Sequence, residues 1–144
     1  MRCRIVNEDR QRTLVAVFDT GDEVVGGLQR LAREQNAGAA SFTGLGALSD
    51  LVLGYFDWQQ KSYRRIAIRE QVEVVSLVGN FALGEDGSPS VHPHIVVARS
   101  DGSACGGHLL EAHVRPTLEV VVTESPAYLQ RRHDPDSGLA LIRI

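Results

Sequence analysis

Cysteine, methionine and tryptophan are scarce in this sequence, at two, one and one residues. Cys3 and Cys105 are too few and too far apart for a disulfide framework, so both thiols are read as reduced, and Cys3 as a small strand residue. No window approaches the roughly 20 apolar residues of a membrane span, and the opening MRCRIVNEDRQRTLVAVF has no apolar run of secretory length. The expected compartment is the cytoplasm, with no membrane partner. Basic charge is not in excess either. Fifteen Lys+Arg against 18 Asp+Glu give a net charge of −3, and the densest basic groups, Arg64-Arg65 and Arg131-Arg132, are only pairs. Binding to a phosphate backbone needs concentrated positive charge, so nucleic acid is not an expected partner of this chain alone. The chain also lacks a Walker loop, a Ser-His-Asp signature, an internal repeat and a low-complexity linker.

What remains is ordinary for a folded domain: 43% hydrophobic and 23% charged residues. At 144 residues the chain is read as one domain, residues 1–144, long enough to bury about 70% of its unfolded surface without a staple.

Arg2 to Val6 and Thr13 to Phe18 read as a hairpin. Thr20-Gly21-Asp22 offers an N-cap. Val24, Val25, Leu28, Leu31 and Ala32 then recur at helical spacing until Asn36-Ala37-Gly38 stops them. Gly26-Gly27 inside that helix costs about 1 kcal/mol per glycine, which implies a close neighbour. From residue 40 the period becomes two, with strands at Ala40 to Ala47, Leu51 to Asp57, Tyr63 to Arg69, Val72 to Leu83, Val91 to Arg99, Ala104 to Val114, Thr117 to Thr123 and Leu139 to Ile144. Residues 125–130 suggest a short second helix. The expected fold class is α+β, a large, mostly antiparallel sheet with one main helix. One helix leaves part of the sheet uncovered, and Val72 to Leu83 is apolar at both parities, so a sheet face or edge is expected to meet another copy of the chain.

Four of the five histidines fall between Val91 and Val114, on two strands joined at Asp101-Gly102. Residues two apart on a strand share a face, so His92 and His94 project side by side. Whether His108 joins them depends on the turn. A two-residue Asp-Gly loop makes partner numbers sum to 203 and puts His108 on the wrong face. A three-residue loop, Ser100-Asp101-Gly102 with Gly102 left-handed, makes the sum 202 and sets His94 opposite His108. A bulge at Gly106-Gly107 added to the shorter loop also restores an even sum. With three neutral imidazoles on one face, the set suits zinc or a similar divalent ion, with a fourth position for water or a small-molecule ligand. Otherwise these are scattered strand histidines. Cys105 and His113 have the wrong parity for the cluster, and His133 reads as a loop residue.

Ser41 to Leu48 holds a Gly-x-Gly without the third glycine of a dinucleotide fingerprint. It reads as a bend or bulge, with Thr43, Gly44 and Gly46 as pocket candidates in the other case. Glu111 is a candidate to orient a ligand histidine or to act as a base, or else an exposed strand residue.

His92-Pro93-His94, Asp101-Gly102, Gly106-Gly107-His108-Leu109, Val114, Pro116-Thr117 and Glu119-Val120 together resemble the prokaryotic branch of the plants and prokaryotes conserved (PPC, also PCC) domain. Gly44-Leu45-Gly46-Ala47, Leu53 to Asp57, Glu73 to Leu77 and Gly79-Asn80-Phe81 extend the likeness over nearly the whole chain. The resemblance implies a PPC-domain-like α+β fold, a homotrimer, and a histidine cluster for a metal, most simply zinc, at His92, His94 and His108. Plant relatives add an Arg-Gly-Arg-Pro segment for the DNA minor groove, which is absent here. Their Gly-Arg-Phe-Glu-Ile-Leu segment corresponds to Glu70 to Val75, which keeps only the glutamate and the apolar pair. A DNA-binding role is thus not carried over. Two functions are expected in order: a metal-binding trimer that takes a small ligand, with catalysis undecided, and a regulatory or assembly module that binds protein or, as the lesser alternative, DNA.

Overall fold

The computed structural model describes residues 1–7, 11–125 and 129–143, with strand β1 (Arg2–Asn7) defined by its backbone. β1 pairs antiparallel with β2 (Thr13–Asp19), whose Leu14, Ala16 and Phe18 alternate inward. Alternation of this kind is what a strand with one face on a core requires.

Helix α1 (Val24–Glu34) follows, and its cap differs from the sequence expectation. Glu23, not Asp22, is the N-cap: its carboxylate accepts the Val25 and Gly26 N–H groups at 3.0 and 2.5 Å. Asp22 instead accepts the amino-terminal ammonium at 2.5 Å and the Asp19 N–H at 2.9 Å. A Cβ on Gly26 would lie 2.8 Å from Glu23 Oε2, so the missing side chain makes room for the cap. Gly27 has the close neighbour its presence implied, since a Cβ there would sit 2.4 Å from the ring of buried Phe18. The helix stops at Asn36, which is left-handed at φ 50°.

The remaining strands are β3 (Ala39–Asp57), β4 (Ser62–Ile68), β5 (Val72–Leu83), β6 (Pro89–Ala98), β7 (Ala104–Glu124), β8 (Gln130–His133) and β9 (Ala140–Arg143). Two breaks expected from the sequence are absent. Ala40 to Ala47 and Leu51 to Asp57 are one strand, β3, and Ala104 to Val114 and Thr117 to Thr123 are one strand, β7. Register shifts between β3 and β7 near Leu48 and Asp50 absorb the irregular residues without ending the pairing. β8 was not foreseen: His133 ends a strand, and Gln130 begins one where a helix was expected. Residues 126–128 of that expected helix, like the Cys3 side chain, lie outside the described residues.

The pairings are antiparallel except β5 with β8, in a nine-stranded sheet. Because β3 and β7 are long, β3, β5, β6 and β7 pair in a closed circuit: β3 with β5, β5 with β6, β6 with β7 and β7 with β3. The sheet therefore curls on itself. α1 packs on β6 and β7, and its Leu28 and Leu31 join Phe81, Ile95, Leu109 and Leu118 in one core. Inward Ile95, Val97 and Leu109 fix the parity of β6 and β7, which turns His92, His94 and His108 to the other face.

Candidate metal centre

The turn between β6 and β7 decides the geometry. Gly102 N–H donates to Arg99 O at 2.9 Å, Gly102 is left-handed at φ 80°, and Arg99 N–H donates to Ser103 O at 2.8 Å. This is the three-residue loop with a glycine bulge. Ala98 pairs with Ala104 and His94 with His108, an even sum of 202. The shorter loop and the compensating bulge at Gly106-Gly107 are both ruled out.

His92, His94 and His108 accordingly converge. Their ring centroids form a nearly equilateral triangle with sides of 5.1, 5.2 and 5.0 Å. His92 Nε2 and His94 Nε2 face each other at 3.2 Å, and one nitrogen from each of the three rings lies within 4.8 Å of the others. Two nitrogens bound at ~2.0–2.1 Å to one tetrahedral ion are ~3.3–3.4 Å apart, so the His92–His94 edge has the spacing of two ligands on a shared ion.

Tyr63 of β4 stacks on His108 with centroids 4.8 Å apart. Gly54 stands opposite His108 in the β3–β7 ladder, and a Cβ there would meet the Tyr63 ring at 2.8 Å. The glycine is what lets the tyrosine lean over the imidazole. Burial raises the Tyr63 pKa, keeping it a neutral phenol. Burial, then the neighbouring His92 and His94, pushes His108 down to about 4. Burial also lowers His92, followed by electrostatic repulsion from Arg131 and from the neighbouring His94. At neutral pH both rings hold a free lone pair, the state a metal ligand needs. His108 Nδ1 is the one buried side-chain nitrogen or oxygen without a hydrogen-bond partner among the described residues. Leaving such an atom unpaired costs about 1–3 kcal/mol unless a ligand takes it. The residues thus fit a divalent ion.

A recess of about 240 Å³ opens beside the triad, lined by Tyr63, Ser90, Val91, His92, His108, Arg131, Leu139, Ala140 and Leu141. Arg131, Tyr63 and the β9 residues drew no functional reading from the sequence. A basic pair and a four-residue strand carry no signal of burial, yet Arg131 is only 7% exposed.

The other candidates lie elsewhere. Glu111 is ion-paired with Arg65 at 3.1 Å and is not part of the converging group. Thr43 and Gly44 line a different recess with Leu45, Val75 and Glu119, which no histidine lines. Gly46 does not line it; it marks a bulge between β3 and β5, where a Cβ would strike Thr117 O at 2.3 Å. The bend reading of Gly-x-Gly therefore holds for Gly46. Cys105 and His113 are outside the triad, as their parity required, and His113 Nδ1 meets Asp50 Oδ1 at 2.8 Å.

The model of the Plants and Prokaryotes Conserved (PCC) domain matches residues 6–126. The chain belongs to this family. Among solved PCC-like structures, a candidate DNA-binding protein from Bacteroides thetaiotaomicron is 30% identical, with a TM-score of 0.87 over 98% of this chain and 96% of that one. A protein from Archaeoglobus fulgidus described as metal-containing is 30% identical, with a TM-score of 0.83 over 92% and 93% of the two chains. The PCC chain is also 32% identical over 127 residues to the bifunctional protein GlmU of a Synechococcus strain. That match covers 86% of this chain but only 19% of GlmU, so the activity of the larger protein is not transferred. No helix among the described residues is long and apolar enough to cross a membrane.

Proposed function

We propose that this PCC domain is a homotrimeric metal-binding protein. In this reading His92, His94 and His108 hold zinc or a similar divalent ion, and a small molecule binds beside it. The observation that carries the reading is the triangle of imidazoles, with two Nε2 atoms 3.2 Å apart and His108 Nδ1 unpaired. The metal-containing Archaeoglobus relative supports it. When bound, such an ion polarises a carbonyl or acidifies a nearby water, so hydrolytic or lyase chemistry is open to it. The chain's own groups have plainer tasks. Tyr63 packs on His108 and shields it from solvent, and the recess beside the rings admits a ligand of limited size.

Self-association, the part of the proposal that the surface bears on, is supported by exposed apolar side chains. Leu45, Val75, Val78, Val96 and Val121 are 63, 53, 44, 41 and 44% exposed on β3, β5, β6 and β7. Val78 and Val96 share a small surface recess with His94, which supports a site close to the proposed subunit boundary.

A second reading, a regulatory or assembly module, rests on the same apolar side chains and on the DNA-binding description of the Bacteroides relative. The net charge of −3 argues against a duplex as the direct partner.

Native mass spectrometry of untagged protein tests both elements of the proposal. A trimer carrying one zinc per chain, with the zinc lost in His92→Ala/His94→Ala, is expected. A metal-free folded assembly that takes up no zinc when it is added would overturn the metal-binding reading, and a monomer would overturn the trimer.

A further inference from the structure

Resting on the three-histidine reading of the site, we infer that the ligand of the adjoining recess is a small carboxylate, received by the guanidinium of Arg131. Arg131 lines the same recess as His92 and His108 and is 93% shielded from solvent. It is a charged group in a place where charge is costly, and its partners do not neutralise it. Its Nη2 donates to the Asn80 side-chain oxygen and its Nη1 to Ala140 O at 3.5 Å, both neutral acceptors. No ion pair of Arg131 with an acidic side chain exists among the described residues. A guanidinium has five N–H donors, so donors remain for a further partner. A buried cation with neutral neighbours is destabilising unless an anion joins it, and a planar fork is shaped for a carboxylate.

The rest of the lining narrows the choice. Val91, Leu139 and Leu141 make much of the wall apolar, and among the described residues no lysine or second arginine lines the recess. A dianionic phosphate calls for more donors than one guanidinium offers in such a wall. The recess is small, about 240 Å³, which suits an acid of a few carbons. Held by Arg131 at one end, it would turn its other end toward the triad.

Isothermal titration of untagged protein, zinc-loaded and chelator-stripped, with lactate, pyruvate, the neutral analogue lactamide and inorganic phosphate tests this. Lactate or pyruvate is expected to bind zinc-loaded wild type about tenfold or more tighter than lactamide or phosphate. Arg131→Gln, which keeps a donor for Asn80, is expected to lose that margin while its zinc content per chain stays that of wild type. Arg131→Lys is expected to fall between the two. The inference is overturned if lactamide binds as tightly as the acids, if phosphate binds more tightly, if the acids do not bind, or if Arg131→Gln binds them undiminished. Should Arg131→Gln not fold, the wild-type comparison of lactate with lactamide and the Arg131→Lys titration give the same decision. Chains that hold no zinc but bind the acids through Arg131 contradict only the metal-binding reading. Zinc-loaded chains that bind no acid contradict only this inference.

Discussion

Removing the proton-accepting ring at position 108 from metal-free protein changes how stability depends on pH. Burial and the two neighbouring histidines push His108 from 6.5 to about 4. With the folded-state value depressed, the unfolded chain takes up the proton first, so the folded state loses stability as pH falls from about 6.5 toward 4 and loses no more below that. The full shift corresponds to about 3.4 kcal/mol at ~1.36 kcal/mol per unit. His108 is only partly buried, so solvent screening reduces that to about 1–2 kcal/mol, of which about 1 kcal/mol is lost between pH 7.5 and 5. His92 shifts in the same direction. The His113 shift is opposite: Asp50 raises it, giving stability that is present below the unfolded value and lost as pH rises through the folded one. Both members of that pair are well exposed, which limits it to under about 0.5 kcal/mol, and it cancels between wild type and variant. The assay is urea unfolding of chelator-treated wild type and His108→Gln at pH 7.5, 6 and 5 and one protein concentration. Wild type should lose about 1 kcal/mol relative to the variant on acidification. A pH-independent difference, or a wild type that gains on the variant as pH falls, would refute the desolvated, neutral His108.

Three further outcomes follow from particular contacts. Gly27→Ala adds helix propensity worth about 1 kcal/mol but drives a methyl into the Phe18 ring, an overpacking cost of about 1–3 kcal/mol, so urea unfolding should show a net loss of about 1 kcal/mol. Unchanged or higher stability there contradicts the helix–strand packing. Gly102→Ala meets no atom within 4 Å, so its only expense is the left-handed backbone, about 1–2 kcal/mol. Its zinc content should equal that of wild type, and a lost metal site would mean the turn does more than hold the register. Fluorescence anisotropy with duplex DNA should show no salt-sensitive association at ~0.15 M ionic strength, and a steep fall of affinity with added salt would contradict the charge argument.

Much of the site was legible because its signals are local. Period-two alternation put His92 and His94 on one face, and what stayed open for His108 was a loop of two residues or three, which Asp-Gly permits equally, and a compensating bulge at Gly106-Gly107. What decided it was the pairing of Ala98 with Ala104, reached with Gly102 left-handed. The glycine pair in α1 announced a close neighbour but not its identity, because Phe18 arrives from another strand. Breaks expected after Ala47 and after Val114 were misread since a long strand can absorb a bulge that composition alone makes look like a turn. Arg131 was illegible for a different reason. Its burial comes from β8 lying beside β5 and from Asn80, 51 residues away, and four residues of strand have no period to detect. Tyr63 was visible as a strand residue, but its place over His108 depends on Gly54 in a third strand.

Zinc K-edge absorption fine structure on untagged protein measures the claimed centre directly. Three imidazole nitrogens at ~2.0–2.1 Å, falling to two in His94→Ala, are predicted. A sulfur scatterer at ~2.3 Å from Cys105, or zinc that washes out of wild type and His94→Ala alike, would contradict the three-histidine centre.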